Sequence, residues 1–156
     1  MTQIRFDDSA TLRAAVSEEF GPWGTQVEVT QAMIDAFADL SGDHQWIHVD
    51  VERAQRESPF GGPIAHGFLT LILFPRLEVP KAEIVGHASA VNYGIDRLRF
   101  LSPVPAGATI HGRVRLAAVD ERTRGVLLTN EFEVRVVDAE KPALLCSMQA
   151  LYLPGP

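Results

Sequence analysis

The chain has 156 residues, of which 46% are apolar and 22% charged, enough for one domain with its own core and against disorder over most of its length. A formal charge of −6 and a pI near 5.3 argue against nucleic acid as a partner, because phosphate contacts need clustered Lys and Arg. An anionic ligand would need a local basic patch, for which Arg97, Arg99, Arg113 and Arg115, all in strand-like segments, are the candidates.

Residues 1–10 carry Asp7 and Asp8 and no apolar stretch, so no signal peptide is expected. Ser9 is placed to cap a short helix over 9–16, Gly21-Pro22-Trp23-Gly24 makes a turn, and 26–29 form a short strand. Residues 1–25 thus form an N-terminal extension to a single domain spanning 1–156. Thr30 is a good N-cap for a helix over 31–40, in which Met33, Ala36, Phe37 and Leu40 recur at helical spacing. Gly42 suits its end, since glycine tolerates the left-handed conformation that helix ends favour. Residues 43–63 read as irregular chain with one helical turn near 52–56. Their density of Gly, Pro, Asp and His is that of a functional loop.

The spacing then predicts a helix over 67–77 that is apolar nearly all round, and therefore buried, with Pro75 ending or kinking it. Its apolar run, 68–74, is too short to span a bilayer. Long strands are expected over 88–100, 109–119, 125–137 and 143–153, separated by polar or Pro/Gly-rich breaks. Phe132, Val134 and Val136 alternate with polar residues, which predicts an antiparallel sheet with one face covered. The fold class is α+β: an antiparallel sheet wrapped around one long apolar helix. The lone Cys146 allows no intrachain disulfide and fits a reducing, cytoplasmic setting. In its apolar strand it reads as a small buried residue, not a nucleophile.

Chemistry concentrates in two segments. In Gly42-Asp43-His44-Gln45-Trp46-Ile47-His48, a carboxylate and an imidazole stand five residues apart, just past a helix end. Such a pair can position a water and move its proton, and histidine titrates near physiological pH. Taken alone, the same residues also describe an ordinary polar loop. In Gly62-Pro63-Ile64-Ala65-His66-Gly67, the chain enters the apolar helix, where backbone N–H groups lack helical partners. The Gly67 N–H could there bind a carbonyl oxygen that gains negative charge; glycine and proline are equally common as plain loop residues. His44 and His48 could suggest a metal, but Gly42 argues against one helix presenting both. With no Cys pair and no HExxH, no metal site is expected. Gly61-Gly62 lacks the pattern of a dinucleotide loop.

Together the two segments resemble the MaoC-like family of R-specific enoyl-CoA hydratases and 3R-hydroxyacyl-thioester dehydratases. The likeness runs from about Thr30 to the C-terminus and includes Tyr93-Gly94, Arg97-Leu98-Arg99-Phe100 and Pro103-Val104-Pro105-Ala106-Gly107. Gln45-Trp46, in place of the family's usual Asn-Pro, looks like the branch related to nodulation protein N. The serine that in some members supports the aspartate has no counterpart here, since the ungapped position is Pro75.

The resemblance implies a hotdog fold, a homodimer, a pantetheine thioester substrate carried by CoA or acyl carrier protein, and no metal or redox cofactor. It implies a hydro-lyase of fatty acid metabolism that adds water to a trans-2-enoyl-thioester to give the 3R-hydroxy product. Asp43 and His48 would be catalytic. Gly67, with the backbone at Ala65 and Ile64, would form the oxygen pocket, and Gln45, Trp46, His66, Asn92 and Tyr93 would shape the site or bind substrate. A hotdog acyl-CoA thioesterase and a non-catalytic acyl-thioester-binding subunit are the alternatives.

Overall fold

In a computed structural model that describes residues 2–155, the elements follow one another as β1 (Gln3–Arg5), α1 (Ser9–Ala14), β2 (Val27–Glu28), α2 (Gln31–Ser41), α3 (Trp46–Val49), α4 (Val51–Glu57) and α5 (Gly67–Ile72). A 3₁₀ turn, Phe74–Leu77, precedes β3 (Glu83–Val85), β4 (Ser89–Phe100), β5 (Thr109–Arg122), β6 (Gly125–Val136) and β7 (Leu144–Leu153). The main sheet is ordered β2-β5-β6-β7-β4 with every pairing antiparallel, and β1 and β3 form a small parallel pair beside it. This is the expected α+β sheet packed around an apolar axial segment. The small parallel pair, whose strands have only three residues each, carried no readable periodicity.

The axial segment differs from the single long helix expected. It is α-helical only over Gly67–Ile72 and continues as the 3₁₀ turn, because Pro75 cannot donate into an α-helical ladder. Nor is it buried all round. Leu69, Leu73, Phe74 and Leu77 enter the core, whereas Phe68 and Ile72 are more than half exposed on the opposite side. Phe74 meets Phe132 edge-on at 3.9 Å, which fixes the helix against the sheet. Ile34, Ile110, Val134 and Leu144 complete this core without solvent contact. Burying each such side chain contributes about 1.5–3 kcal/mol.

Thr30 caps α2 by accepting the Met33 N–H, and Gly42 ends it at φ +78°, as expected. The buried face is a correction: Ile34 and Ala38 point inward with Met33 and Phe37 beside them, whereas Ala36 and Leu40 are exposed. Asp8, not Ser9, caps α1 through the Thr11 N–H. Residues 43–63 hold two short helices, α3 and α4, where one turn was expected.

The N-terminal segment before β2 runs along the free edge of β5. The N–H groups of Ser17, Gly21 and Gly24 donate to Leu116, Val114 and Gly112 carbonyls at 3.0, 2.9 and 2.8 Å. Gly24 is required there, since a Cβ would lie 2.1 Å from the Leu77 carbonyl oxygen. Trp23 stacks on His111 at 3.8 Å, and the Arg113 guanidinium lies over Trp23 and Phe20. The sheet is therefore covered on both faces here, not on one. Arg113 and Arg135 both pair with Glu133, which is 3% exposed, and Arg115 pairs with Glu131 and Glu18. Of the four arginines, Arg113 and Arg115 are neutralised by Glu133 and Glu131, while Arg97 and Arg99 on β4 line a groove that also holds Phe20 and Glu131. At the sheet's other end β4 is exposed along nearly its whole length and has no partner beyond β7 among the described residues. Among the described residues no helix is long and apolar enough to cross a membrane.

Candidate active site

Three backbone features bring the two segments together. Gly42 turns the chain out of α2, so that Asp43 starts a tight loop: its N–H donates to Ser41 Oγ, and its Oδ1 accepts the Gln45 N–H, both at 3.3 Å. This aspartate turn at the entrance of α3 orients the carboxylate, a role for which the sequence offered no named residue. The start of the loop is also held by His66, whose Nε2–H donates to the Asp43 carbonyl at 2.9 Å. From α2, Gln31 Nε2 donates to the His48 carbonyl at 2.8 Å, a contact no motif announced.

His48 lies on α3, buried, and not in a loop. Its Nδ1 sits 2.7 Å from the Ile64 carbonyl oxygen. A carbonyl can only accept, so Nδ1 carries the proton and Nε2 keeps its lone pair. Burial is the main cause that holds the imidazole's pKa below its ordinary value, with the neighbouring His66 adding to it. The Ile64 bond and the Asp43 charge oppose them. The rings of His48 and His66 stack with centroids 3.8 Å apart, and Phe37 closes on His66 at 4.9 Å. The same hydrogen-bond logic puts the His66 proton on Nε2, leaving a buried Nδ1 without a partner among the described residues.

One potential ligand atom each of Asp43, His48 and His66 lie within 4.8 Å of one another. Two imidazoles and a carboxylate at this spacing can grip a water or a small cation. His44 takes no part: it is exposed, with Nε2 3.8 Å from Asp39.

A cleft of about 330 Å³ opens beside His48. Ile64, Ala65 and Gly67 line it, as expected. Two of them have their N–H groups engaged within the protein. The Ile64 N–H is spent on the Ile47 carbonyl at 3.1 Å and the Ala65 N–H on the Val104 carbonyl at 2.8 Å, because this segment is clamped between α3 and the β4–β5 turn. Gly67, at the first position of α5, has the one N–H of the three left for a ligand. Thr70, Phe60 and Phe100 also line the cleft, roles that were not read from the sequence although Phe100 lies in a segment that drew notice.

The remaining candidates lie outside it. Gln45 contributes its backbone N–H, and Trp46 is half-buried beneath the Arg53 guanidinium at 4.3 Å. Asn92 and Tyr93 stand on the exposed edge strand, away from the cleft of their own chain. Cys146 is buried and its thiol is pushed up to about 11 by burial, so it is no nucleophile.

Residues 17–137 match the MaoC like domain. The chain is 41% identical over 149 residues to 3-hydroxyacyl-thioester dehydratase Z of Mycobacterium tuberculosis, covering 95% of this chain and 97% of that one. It is 41% identical over 155 residues to nodulation protein N of Rhizobium meliloti, covering 97% and 92%. Among solved structures, the monoamine oxidase regulatory protein from Archaeoglobus fulgius superposes with a TM-score of 0.74 at 27% identity, over 100% of this chain and 98% of that one.

Proposed function

Because the chain belongs to the MaoC-like dehydratase family, with the hotdog fold, we propose that the cleft beside His48 is where it carries out the family's reversible hydration of an enoyl-thioester. The protein is a hydro-lyase that hydrates enoyl-thioesters and dehydrates 3-hydroxyacyl-thioesters. The observation that carries the site assignment is the fixed tautomer of His48: a buried imidazole with Nε2 free to accept a proton, beside the Asp43 carboxylate.

In the hydration direction, Asp43 and His48 hold one water. His48 Nε2 takes its proton as the oxygen bonds to C3 of the trans-2-enoyl-thioester. The C2–C3 π pair moves toward the thioester carbonyl, whose oxygen gains negative charge at the Gly67 N–H. The imidazolium then returns the proton to C2 on the same face, which gives syn addition and a 3R-hydroxyacyl product. Dehydration reverses each step. The substrate is a pantetheine thioester of CoA or acyl carrier protein. The chemistry calls for no metal or redox cofactor, because the imidazole carries both proton transfers while the carboxylate holds the water.

We place a second copy of the chain against β4, making a homodimer. The support is the unpaired edge, with Val91, Tyr93 and Ile95 exposed along it and Phe68 and Ile72 exposed on α5.

The test is a hydration assay on crotonyl-CoA that follows loss of the enoyl-thioester absorbance and release of free thiol in parallel, with chiral analysis of the product. Loss of absorbance without thiol release, unaffected by a chelator, is expected. Thiol release would make the protein a thioesterase, and neither signal would leave it a binding subunit.

A further inference from the structure

The cleft beside His48 has two kinds of wall. Thr70, Val104 and Ala143 are buried side chains, each 3% exposed. Behind them stands the packed core, in which Leu69, Leu73, Phe74 and Leu77 flank Thr70 along the axial segment and Phe74 meets Phe132 edge-on. That side is sealed, since close-packed cores leave no room for added methylenes. The other wall is formed by Phe60, Phe100 and Leu101, which are 45%, 44% and 51% exposed and so not fixed by the core; Phe100 is the last residue of β4.

Phe100 is also pressed onto the helix start. A Cβ on Gly67 would lie 2.7 Å from Phe100 Cγ and 2.8 and 2.9 Å from its two Cδ atoms, so the ring fills the space that a side chain at 67 would take. Phe68 meets it edge-on with centroids 5.4 Å apart. The cleft volume, about 330 Å³, lies at the lower end of the range for ligand pockets, roughly 300–1,000 Å³.

We infer that Phe100 is the specificity-determining wall of this cleft and restricts it to short acyl chains. This rests on the proposed hydration at the same site. With the thioester oxygen at Gly67 and C3 beside His48, carbons beyond C4 have the sealed core on one side and the Phe100 ring on the other. Trimming Phe100, the wall residue pressed onto Gly67, makes room for them without opening the core.

The experiment compares kcat/KM for crotonyl-CoA and trans-2-octenoyl-CoA in the wild type and in Phe100→Leu, Phe100→Ala and Phe100→Trp. The wild type should favour the four-carbon substrate. The octenoyl-to-crotonyl ratio should rise about tenfold in Phe100→Ala, less in Phe100→Leu, and fall in Phe100→Trp, since single methylenes in an apolar pocket change selectivity by about that factor. Circular dichroism and sedimentation establish that each variant is folded. A ratio that stays at the wild-type value in folded Phe100→Ala and Phe100→Leu overturns the inference while leaving the hydratase reading intact. Failure of the wild type to hydrate either substrate overturns both.

Discussion

The Nδ1–H of His48 donates to the carbonyl oxygen of Ile64 at 2.7 Å, which links the two motif segments directly. The bond fixes one tautomer and leaves Nε2 as the only basic nitrogen of the ring. The proposed mechanism needs the neutral imidazole, and burial holds its pKa below the ordinary 6.5. The acid limb of kcat/KM for hydration is therefore expected below pH 6.5, because a lowered pKa extends the basic form to lower pH. The same shift carries a stability cost: the unfolded chain binds this proton more readily, so stability is lost as pH falls from about 6.5 through the folded value. His48→Gln should remove the stability term together with the rate limb. A limb at or above pH 6.5 would show that His48 is not the titrating base.

Asp43→Asn and His48→Gln should each lower hydration turnover by about 10²-fold or more, the size of a lost general acid–base group. If both side chains grip one water, the double variant should be little worse than either single one, because groups acting as a unit are not additive. His44→Gln is the internal comparison, since His44 is exposed and faces Asp39. It should leave turnover near the wild-type value, whereas a metal held through His44 would make it as harmful as His48→Gln.

Under the proposed mechanism and the chain-length inference, Gly67 has two separable roles. Gly67→Pro deletes the N–H and should cost about 10²–10³ in rate, as for other lost oxyanion donors. Gly67→Ala keeps the N–H but drives a Cβ into the Phe100 ring. It should therefore alter the preference for chain length more than the rate on crotonyl-CoA. Equal damage from both variants would mean that packing at 67, not hydrogen bonding, is what matters.

How far the sequence revealed this arrangement depended on the range of the signal. The α2 caps at Thr30 and Gly42 and the four long strands of the main sheet were legible, because capping chemistry and period-two alternation are local. Asp43, His48 and Gly67 stood out as candidates through motif spacing. The spent N–H groups of Ile64 and Ala65 were not, because their acceptors, Ile47 and Val104, are set by tertiary packing. The strap over Glu133 was missed for the same reason. Nothing in the alternation of β6 says that a tryptophan and a phenylalanine from the N-terminus will cover its outer face.

That strap yields a stability prediction. Gly24→Ala puts a methyl group 2.1 Å from the Leu77 carbonyl oxygen, a backbone atom that cannot rotate away. Overpacking of this kind costs about 1–3 kcal/mol. Chemical denaturation should show the midpoint lowered accordingly, with hydration turnover of the folded fraction little changed, since the strap lies away from His48. An unaltered midpoint would mean that the strap detaches from β5 at little cost.

The last prediction concerns the open edge. The wild type should sediment at twice its 17.1 kDa chain mass. Val91→Lys with Ile95→Lys places two charges on the exposed β4 strand, where lysines discourage edge-to-edge pairing. The variant should sediment as a monomer at micromolar concentration with its circular dichroism preserved, because neither side chain enters the core. Phe68, Phe100 and Ile72 would then stay exposed beside the cleft, and turnover should fall together with the dimer fraction. A monomeric wild type with full turnover would remove the second copy from the site altogether. A dimeric double variant would move the interface from β4 to the exposed face of α5.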